Sequence, residues 1–216
     1  MKKDLTELVF ILDKSGSMAG LETDTIGGFN TLLAKQKQEK GEAMITTVLF
    51  DNNYEILHDR ADIRQVNPIT AKEYFVEGST ALLDALGRTI NRAGKAISEM
   101  RETDRPGKVM VVIITDGYEN ASREFKYSQI KHMIEHQQTK YAWEFIFLGA
   151  NIDAVSAAEQ VGIRADRSAS YNADSQGTRL NYDAVCSVVS EYRSGKQVDP
   201  NWKEQIDEDF QKRSKK

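Results

Sequence analysis

The chain has 216 residues with a hydrophobic fraction of 40%, 29 basic and 33 acidic side chains, and a formal net charge of −4. This length predicts one domain, or one domain with an extension, since domains commonly have ~100–200 residues. The charge balance provides no basic surface for nucleic acid or anionic lipid, and no apolar run approaches the ~20 residues of a membrane helix, so neither kind of partner is expected.

Cysteine usage and the N-terminal segment indicate the compartment. A single cysteine, Cys186, cannot form an internal disulfide, which suits a reducing cytosol. Segment 1–10 becomes charged too early to resemble a secretory signal. We therefore expect a cytoplasmic protein, in which Cys186, surrounded by valines, is a small buried hydrophobic residue.

Apolar runs in the first three quarters of the chain predict β-strands. The runs at 7–13 and 108–116 are almost continuous Val, Ile, Leu and Phe, which is typical of strands buried on both faces of a parallel sheet. The runs at 44–51 and 143–150 are also predicted as strands. After 44–51, the pair Asn52-Asn53 predicts a turn, so the next run should return as a short antiparallel edge strand.

Helical periodicity separates these strands. Apolar side chains recur at spacings of three and four residues in three segments, which contain Ile26, Phe29 and Leu33; Leu83, Leu86, Ile90, Ala93 and Ile97; and Tyr127, Ile130 and Ile134. The alternation predicts a doubly wound, Rossmann-like α/β fold: a mostly parallel central sheet with one antiparallel edge strand and helices on both faces.

The C-terminal quarter is less regular. Segment 182–193 predicts a packed helix, whereas the segment before it is polar and only weakly indicates a last strand. Trp202, Ile206 and Phe210 recur every four residues and predict a final amphipathic helix, which either packs on the domain, the favoured interpretation, or meets a partner. We divide the chain into a domain at 1–195 and a helical extension at 196–216.

Carboxylates stand at the carboxyl ends of the four predicted strands: Asp13, Asp51, Asp116 and, just beyond its strand, Asp153. Open α/β sheets bind ligands at this position if the strand order reverses. If strand 7–13 is central, side chains from two loops should converge there. They are Asp13, Ser15, Ser17 and Asp116. All four offer oxygen ligands, and hard oxygen donors suit Mg²⁺ or Mn²⁺ better than zinc.

Three segments carry a family resemblance. The sequence DKSGSM at 13–18 resembles the Asp-x-Ser-x-Ser motif of von Willebrand factor A domains, which is part of their metal-ion-dependent adhesion site (MIDAS). EGSTALLDAL resembles the loop that supplies a threonine to that site, here Thr80. IITDGYENAS resembles the Thr-Asp-Gly loop that supplies an aspartate, here Asp116. The resemblance covers roughly residues 5–193 and suggests an intracellular bacterial or phage type.

The resemblance implies a ligand set and a role. In the family, the serines and the threonine contact the ion directly, and the aspartates bind it directly or through water. The implied metal ligands are Asp13, Ser15, Ser17, Thr80 and Asp116. An acidic side chain of a protein partner, of unknown identity, would complete the coordination. Movement of the last helix, here about 178–193, can be coupled to the ion.

Each of these residues also has an ordinary structural interpretation. Ser17 and Thr80 could cap the helices that follow them, and Asp116 before Gly117 is a common turn pair. Asp51 is interpreted as a hairpin-turn residue, and Glu77 as a solvated loop charge. The pair His132 and His136 lacks the remaining residues of a zinc motif, so a solvated helix face is expected.

Three functions are compatible with such an ion. The favoured one is a protein-binding module without enzymatic activity. A hydrolase or phosphoryl-transfer enzyme would need a general base or nucleophile, but the three loops contain no histidine, and the chain has neither a Gly-x-Ser-x-Gly elbow nor a glycine-rich phosphate loop. A purely structural ion should be enclosed, whereas these loops are predicted to open outward at the sheet edge.

Overall fold

The computed structural model describes residues 1–213. Its strands are β1 (Lys2–Asp13), β2 (Glu42–Phe50), β3 (Tyr54–Asp62), β4 (Pro106–Thr115), β5 (Glu144–Ala150) and β6 (Ser168–Tyr171). Its α-helices are α1 (Glu22–Gln38), α2 (Leu82–Glu99), α3 (Tyr127–Tyr141), α4 (Ala154–Gln160), α5 (Ser175–Arg193) and α6 (Glu204–Arg213).

The strands form one six-stranded sheet in the order β3-β2-β1-β4-β5-β6. Strand β1 pairs in parallel with both β2 and β4, and β5 and β6 extend the parallel part. Only β3 is antiparallel, at the edge beside β2. The predicted α/β fold class is therefore confirmed, including the edge strand, which is longer than the short return expected.

Two apolar cores lie on the two faces of the sheet, because side chains alternate along each strand. On β1, Leu8 and Phe10 belong to one core, and Val9 and Ile11 to the other. Helices α1, α5 and α6 cover the first face, and α2, α3 and α4 cover the second. Since β1 is buried on both faces, it can consist of nearly continuous hydrophobic residues.

The C-terminal quarter departs from the prediction in two places. Helix α5 begins at Ser175 rather than near residue 182, because the Asp174 carboxylate accepts a hydrogen bond from the Gly177 amide and caps a polar first turn. Helix α4 was not predicted, since its seven residues are mostly small or polar and show little periodicity. The weakly indicated last strand is present as β6.

The described part of the C-terminal extension packs on the domain. Ile206 in α6 is 1% exposed within the first core, and Trp202 packs against the same core. The indole N–H of Trp202 donates to the Asp166 carbonyl at 3.0 Å. These contacts support the packing interpretation over a helix whose apolar side is left for a partner. Among residues 1–213, no helix combines the length and apolar character that a membrane crossing requires.

Candidate metal centre

The predicted site lies where β1 and β4 end, next to each other at the centre of the sheet. Strand order reverses here, because β2 follows β1 on one side whereas β4 adjoins it on the other. Asp13 is the last residue of β1, and Asp116 directly follows β4. This position is where ligands bind in open α/β sheets.

The loop after β1 presents two hydroxyl groups. The Asp13 carboxylate accepts a hydrogen bond from the Ser15 amide at 2.7 Å, which turns the chain sharply. The Ser15 and Ser17 hydroxyl oxygens then lie 3.0 Å apart. Ser17 is in a short 3₁₀ turn and does not cap α1, which begins at Glu22. The capping interpretation of Ser17 is therefore wrong.

A second loop brings Thr80 to the same place. Its hydroxyl lies 3.0 Å from the Ser15 hydroxyl, and the residue is 2% exposed. Thr80 does not cap α2; instead, the Glu119 carboxylate accepts a hydrogen bond from the Leu83 amide at 2.9 Å. The Thr80 amide donates to the Asn120 side chain, which joins this loop to the one after β4.

The loop after β4 completes the cluster. The Ser17 hydroxyl donates to the Asp116 carboxylate at 2.5 Å. Gly117 allows this approach, since a β-carbon at that position would lie 2.9 Å from the Thr80 hydroxyl and 3.2 Å from the Ser17 hydroxyl. The structure thus brings all five sequence-predicted residues together. Hydrogen bonds connect the side chains of Thr80, Ser15, Ser17 and Asp116 in one series, and Asp13 joins it through the Ser15 amide.

The electrostatics of the cluster are unfavourable for two ionised carboxylates. Burial raises the pKa of Asp116 to about 6, opposed by the Ser17 hydrogen bond and reinforced by the charge of Asp13. Burial also raises the pKa of Asp13, although hydrogen bonds from Thr115 and Ser15 oppose the shift. Across residues 1–213, neither carboxylate forms an ion pair.

The neighbouring lysine does not supply the missing charge. The Lys14 ammonium lies 3.4 Å from the Glu55 carboxylate and 4.3 Å from the centre of the Phe75 ring. Buried carboxylates without a cationic partner are costly, whereas carboxylate and hydroxyl oxygens are good ligands for hard divalent cations. The donor set therefore fits a divalent cation, which the five residues would hold.

Two supporting residues were missed in the sequence. The Thr115 hydroxyl donates to the Asp13 carboxylate at 2.5 Å, and the Tyr74 hydroxyl donates to the Asp13 carbonyl at 2.6 Å. The Thr-Asp-Gly segment contained Thr115 and offered a signal for it. Tyr74 gave no signal, because its contact spans 61 residues of sequence.

Other candidate residues lie outside the cluster. Asp51 is a hairpin-turn residue, as predicted, and accepts a hydrogen bond from the Asn53 amide. Asp153 caps α4 by accepting from the Ser156 amide at 3.0 Å. His132 and His136 are exposed on α3, as expected. In the described part of the chain, no three His, Cys, Asp or Glu side chains are grouped to hold a metal. The cluster instead combines two carboxylates with three hydroxyl groups.

Comparisons with known proteins identify the fold. No family model matches the chain, and no curated protein matches it. Among solved structures, a von Willebrand factor type A protein from Catenulispora acidiphila is 15% identical, with a TM-score of 0.59 over 86% of this chain and 42% of that one. Manganese-loaded TRAP protein from Plasmodium vivax is 16% identical, with a TM-score of 0.58 over 82% of this chain and 72% of that one.

A third similar structure is proximal thread matrix protein 1 from the mussel byssus, with zinc in its MIDAS motif. It is 15% identical, with a TM-score of 0.56 over 86% of this chain and 46% of that one. The chain thus spans less than half the length of several proteins that it resembles. At these identities the likeness concerns architecture, and the chain has a von Willebrand factor A-like fold.

Proposed function

We propose that this chain is a divalent-cation-dependent protein-binding module. The observation that carries the proposal is the meeting of two buried carboxylates and three hydroxyl groups, with no ion pair to either carboxylate among the described residues. The manganese-loaded and zinc-occupied neighbours support metal binding at this place in the fold.

The proposed ion is Mg²⁺ or Mn²⁺. All five side chains offer oxygen, which these ions prefer, whereas zinc favours nitrogen and sulfur. Because three of the ligands are neutral hydroxyls, the bound ion would keep much of its positive charge. It would then attract a further anionic oxygen from outside the chain.

The proposed partner is a protein that supplies an acidic side chain. Gly16 and Ser17 are exposed, so the cluster opens to solvent on the side of the first loop. This opening favours a binding site over an enclosed structural ion. Two large exposed apolar side chains, Phe75 and Tyr118, lie on loops next to the residues proposed to bind the ion, as expected for a protein interface.

Binding is proposed rather than catalysis. The three histidines are in β3 and α3, away from the ligand loops, so none is placed as a general base. A cytoplasmic location is proposed from the lone cysteine, which is buried. The intracellular bacterial or phage type is likewise a proposal, based on the motif resemblance.

The experiment compares Ser17→Ala with a matched control, Ser79→Ala, which changes an exposed serine that directly precedes Thr80. Calorimetric titration should show Mg²⁺ binding to the native chain that weakens at least about tenfold in Ser17→Ala, or ~1.4 kcal/mol, and stays unchanged in the control. Circular dichroism checks that both variants fold.

The partner is tested by capture from lysate in Mg²⁺ and in EDTA. A captured protein should be lost in EDTA and with Ser17→Ala, and retained with Ser79→Ala. Equal Mg²⁺ binding by the two variants would exclude the site. Metal binding without any metal-dependent capture would contradict the binding module while leaving the metal centre in place.

A further inference from the structure

A cleft lies at the amino ends of the parallel strands, where β4 and β5 begin, and thus at the end of the sheet opposite the candidate metal centre. Its volume is about 450 Å³, and small-molecule sites commonly have ~300–1,000 Å³. The C-terminal ends of α2 and α3 and the segment entering β4 form its walls. Strand β4 separates this cleft from the candidate metal centre by roughly 30 Å, at ~3.3 Å per residue.

The interior of the cleft is apolar. Ile97, Val109 and Trp143 line it, and the last two are each 5% exposed. Met1 and Tyr141 also line it, although they are 69% and 52% exposed. Large apolar side chains that remain open to solvent around a concave surface commonly mark a binding site.

A glycine keeps part of this cleft open. Gly94 is inside α2, where glycine costs about 0.5–1 kcal/mol relative to alanine. A β-carbon there would lie 3.6 Å from the Gln137 side-chain nitrogen, which is an ordinary contact. Packing within the described residues therefore does not require glycine at this position, whereas a larger side chain would enter the cleft.

Of the described residues, basic side chains line the cleft, and acidic ones do not. The side chains that line it include Arg105, Lys108, His136 and Lys140 but no Asp or Glu, although acidic residues outnumber basic ones in the chain, 33 to 29. The Lys108 ammonium lies on the other face of the sheet, where it donates to the Arg193 carbonyl at the end of α5 at 2.6 Å. Arg105 and Lys140 are the Arg and Lys side chains that remain at the cleft.

These two cations have neutral partners within the described chain. The half-buried Arg105 guanidinium donates to the Met100 carbonyl at 3.1 Å and to the Ser98 carbonyl at 2.8 Å. The Lys140 ammonium lies 5.2 Å from the centre of the Tyr141 ring. The buried carboxylate of Glu7, the strand neighbour of Val109, is already bound to Arg60. The two carbonyls that Arg105 contacts lie at the C-terminal end of α2, where the helix dipole is negative, and they occupy Nε and Nη2 of the guanidinium. Nη1 has no hydrogen-bond partner among the described residues, so it is free to donate to an added anion.

We infer that this cleft binds a small amphipathic organic anion. Its aromatic or aliphatic body would contact Ile97 and Trp143, and its carboxylate or phosphate head would pair with Arg105 and Lys140. The apolar interior and the cationic rim together select this chemistry over a neutral hydrophobic molecule or an inorganic anion. The inference is independent of the proposed metal centre.

The probe is 8-anilino-1-naphthalenesulfonate, an amphipathic aromatic anion whose fluorescence rises in apolar sites, compared with its uncharged analogue N-phenyl-1-naphthylamine. The native chain should bind both. Lys140→Gln should weaken the anion about threefold to tenfold and the neutral analogue less than about twofold, since only the anion loses an ion pair. Lys131→Gln, on the same helix but outside the cleft, should change neither.

Filling the cleft provides the second test. Gly94→Leu should weaken both probes at least about tenfold, whereas Gly27→Leu, a helix position with nothing within 4 Å of an added β-carbon, should not. Octanoate and octyl phosphate, added as competitors, distinguish a carboxylate from a phosphate head. Absence of probe binding, equal binding by Gly94→Leu and Gly27→Leu, or displacement by neither competitor would overturn the inference.

Discussion

Asp13 and Asp116 bring two buried carboxylates into one cluster with three hydroxyl groups. The hydroxyls satisfy one another and Asp116, but they cannot neutralise charge. In the metal-free protein this arrangement costs stability, and a bound cation would reverse the cost. Functional sites commonly keep such locally unfavourable groups because a ligand stabilises them.

Asp116→Asn tests this loss of stability, because it replaces one carboxylate oxygen with an amide nitrogen and removes the charge. The amide keeps an acceptor for Ser17 but removes the buried charge, so the metal-free variant should be more stable than the native chain by about 1–2 kcal/mol at pH 7.5. The rise in Tm on adding Mg²⁺ should disappear at the same time. Urea and thermal denaturation measure both quantities, with Glu77→Gln, an exposed loop charge, as the control. A native-like Mg²⁺ effect in Asp116→Asn would contradict the assignment.

The raised pKa of Asp116 predicts a pH dependence. Between pH 3.8 and about 6, the folded metal-free protein holds a proton that the unfolded chain has released. The contribution of Asp116 protonation to the free energy of unfolding is therefore complete below pH 3.8, and it is lost as the pH rises through about 6. A Mg²⁺ ion bound as proposed would compete with that proton, so its stabilising effect should be larger at pH 7.5 than at pH 5.0. Scanning calorimetry at both pH values would measure it; an equal effect would exclude Asp116 as a ligand.

At the scale of the elements, strands β1 and β3 are connected across β2 by a buried ion pair. The Arg60 guanidinium donates to both carboxylate oxygens of Glu7 at 3.0–3.1 Å, and the Glu7 side chain has no exposed surface. Burial raises the pKa of Glu7 although Arg60 opposes the shift. The edge strand thus provides the only ionic partner of this carboxylate among the described residues.

Removing the cation of this pair should be costly. Arg60→Met leaves a buried charge without a partner, so we expect a loss of about 3–5 kcal/mol in the free energy of unfolding by urea. Arg92→Met is the matched control, because its ion pair with Asp59 is about half exposed on both sides. Its loss should be about 0–1 kcal/mol. Similar losses in the two variants would show that burial of Glu7 does not increase the free energy lost when its ionic partner is removed.

Among the described residues of α6, one side chain, Ile206, is buried against the domain. Ile206→Ala should reduce the free energy of unfolding by about 2–4 kcal/mol, whereas Phe210→Ala, at a half-buried position, should cost less. Neither change touches the ligand loops, so Mg²⁺ affinity measured by calorimetry should stay the same. A loss of Mg²⁺ affinity in a folded Ile206→Ala variant would show that α6 supports the metal centre.

At the scale of the whole molecule, the two candidate sites lie at opposite ends of the parallel strands of one sheet. The metal centre is built on loops at the carboxyl ends of β1 and β4, and the cationic cleft lies where β4 begins. Coupling between them would require an element with two arrangements. The strand between them is buried on both faces and paired on both sides, which favours a single arrangement.

We therefore expect the two sites to act independently. Saturating Mg²⁺ should change the affinity of the anionic naphthalene probe by less than about twofold, a coupling below ~0.4 kcal/mol. Fluorescence titration in Mg²⁺ and in EDTA measures this, and Ser17→Ala should give the same affinity in both solutions. A larger change that vanishes in Ser17→Ala would establish coupling through the sheet.

Much of this protein was determined by local patterns in its sequence. Continuous apolar runs predicted β1 and β4 as strands buried on both faces of a parallel sheet, and Asn52-Asn53 predicted the edge turn. The meeting of the five residues at the strand ends was also predictable, because the strand ends and loop motifs that carry them are short and their residue types are specific. Periodicity and turn chemistry act over a few residues, so one sequence suffices to detect them.

Only the tertiary structure decided the contacts between distant residues. Tyr74 behind Asp13, the Glu7–Arg60 pair and the cleft beside Arg105 join segments that no local pattern connects. The tertiary structure also removed the interpretation of Ser17 as a helix cap, since α1 begins farther along the chain. Burial and charge pairing depend on which surfaces meet after folding, and that information is spread over both faces of the sheet rather than held in any one segment.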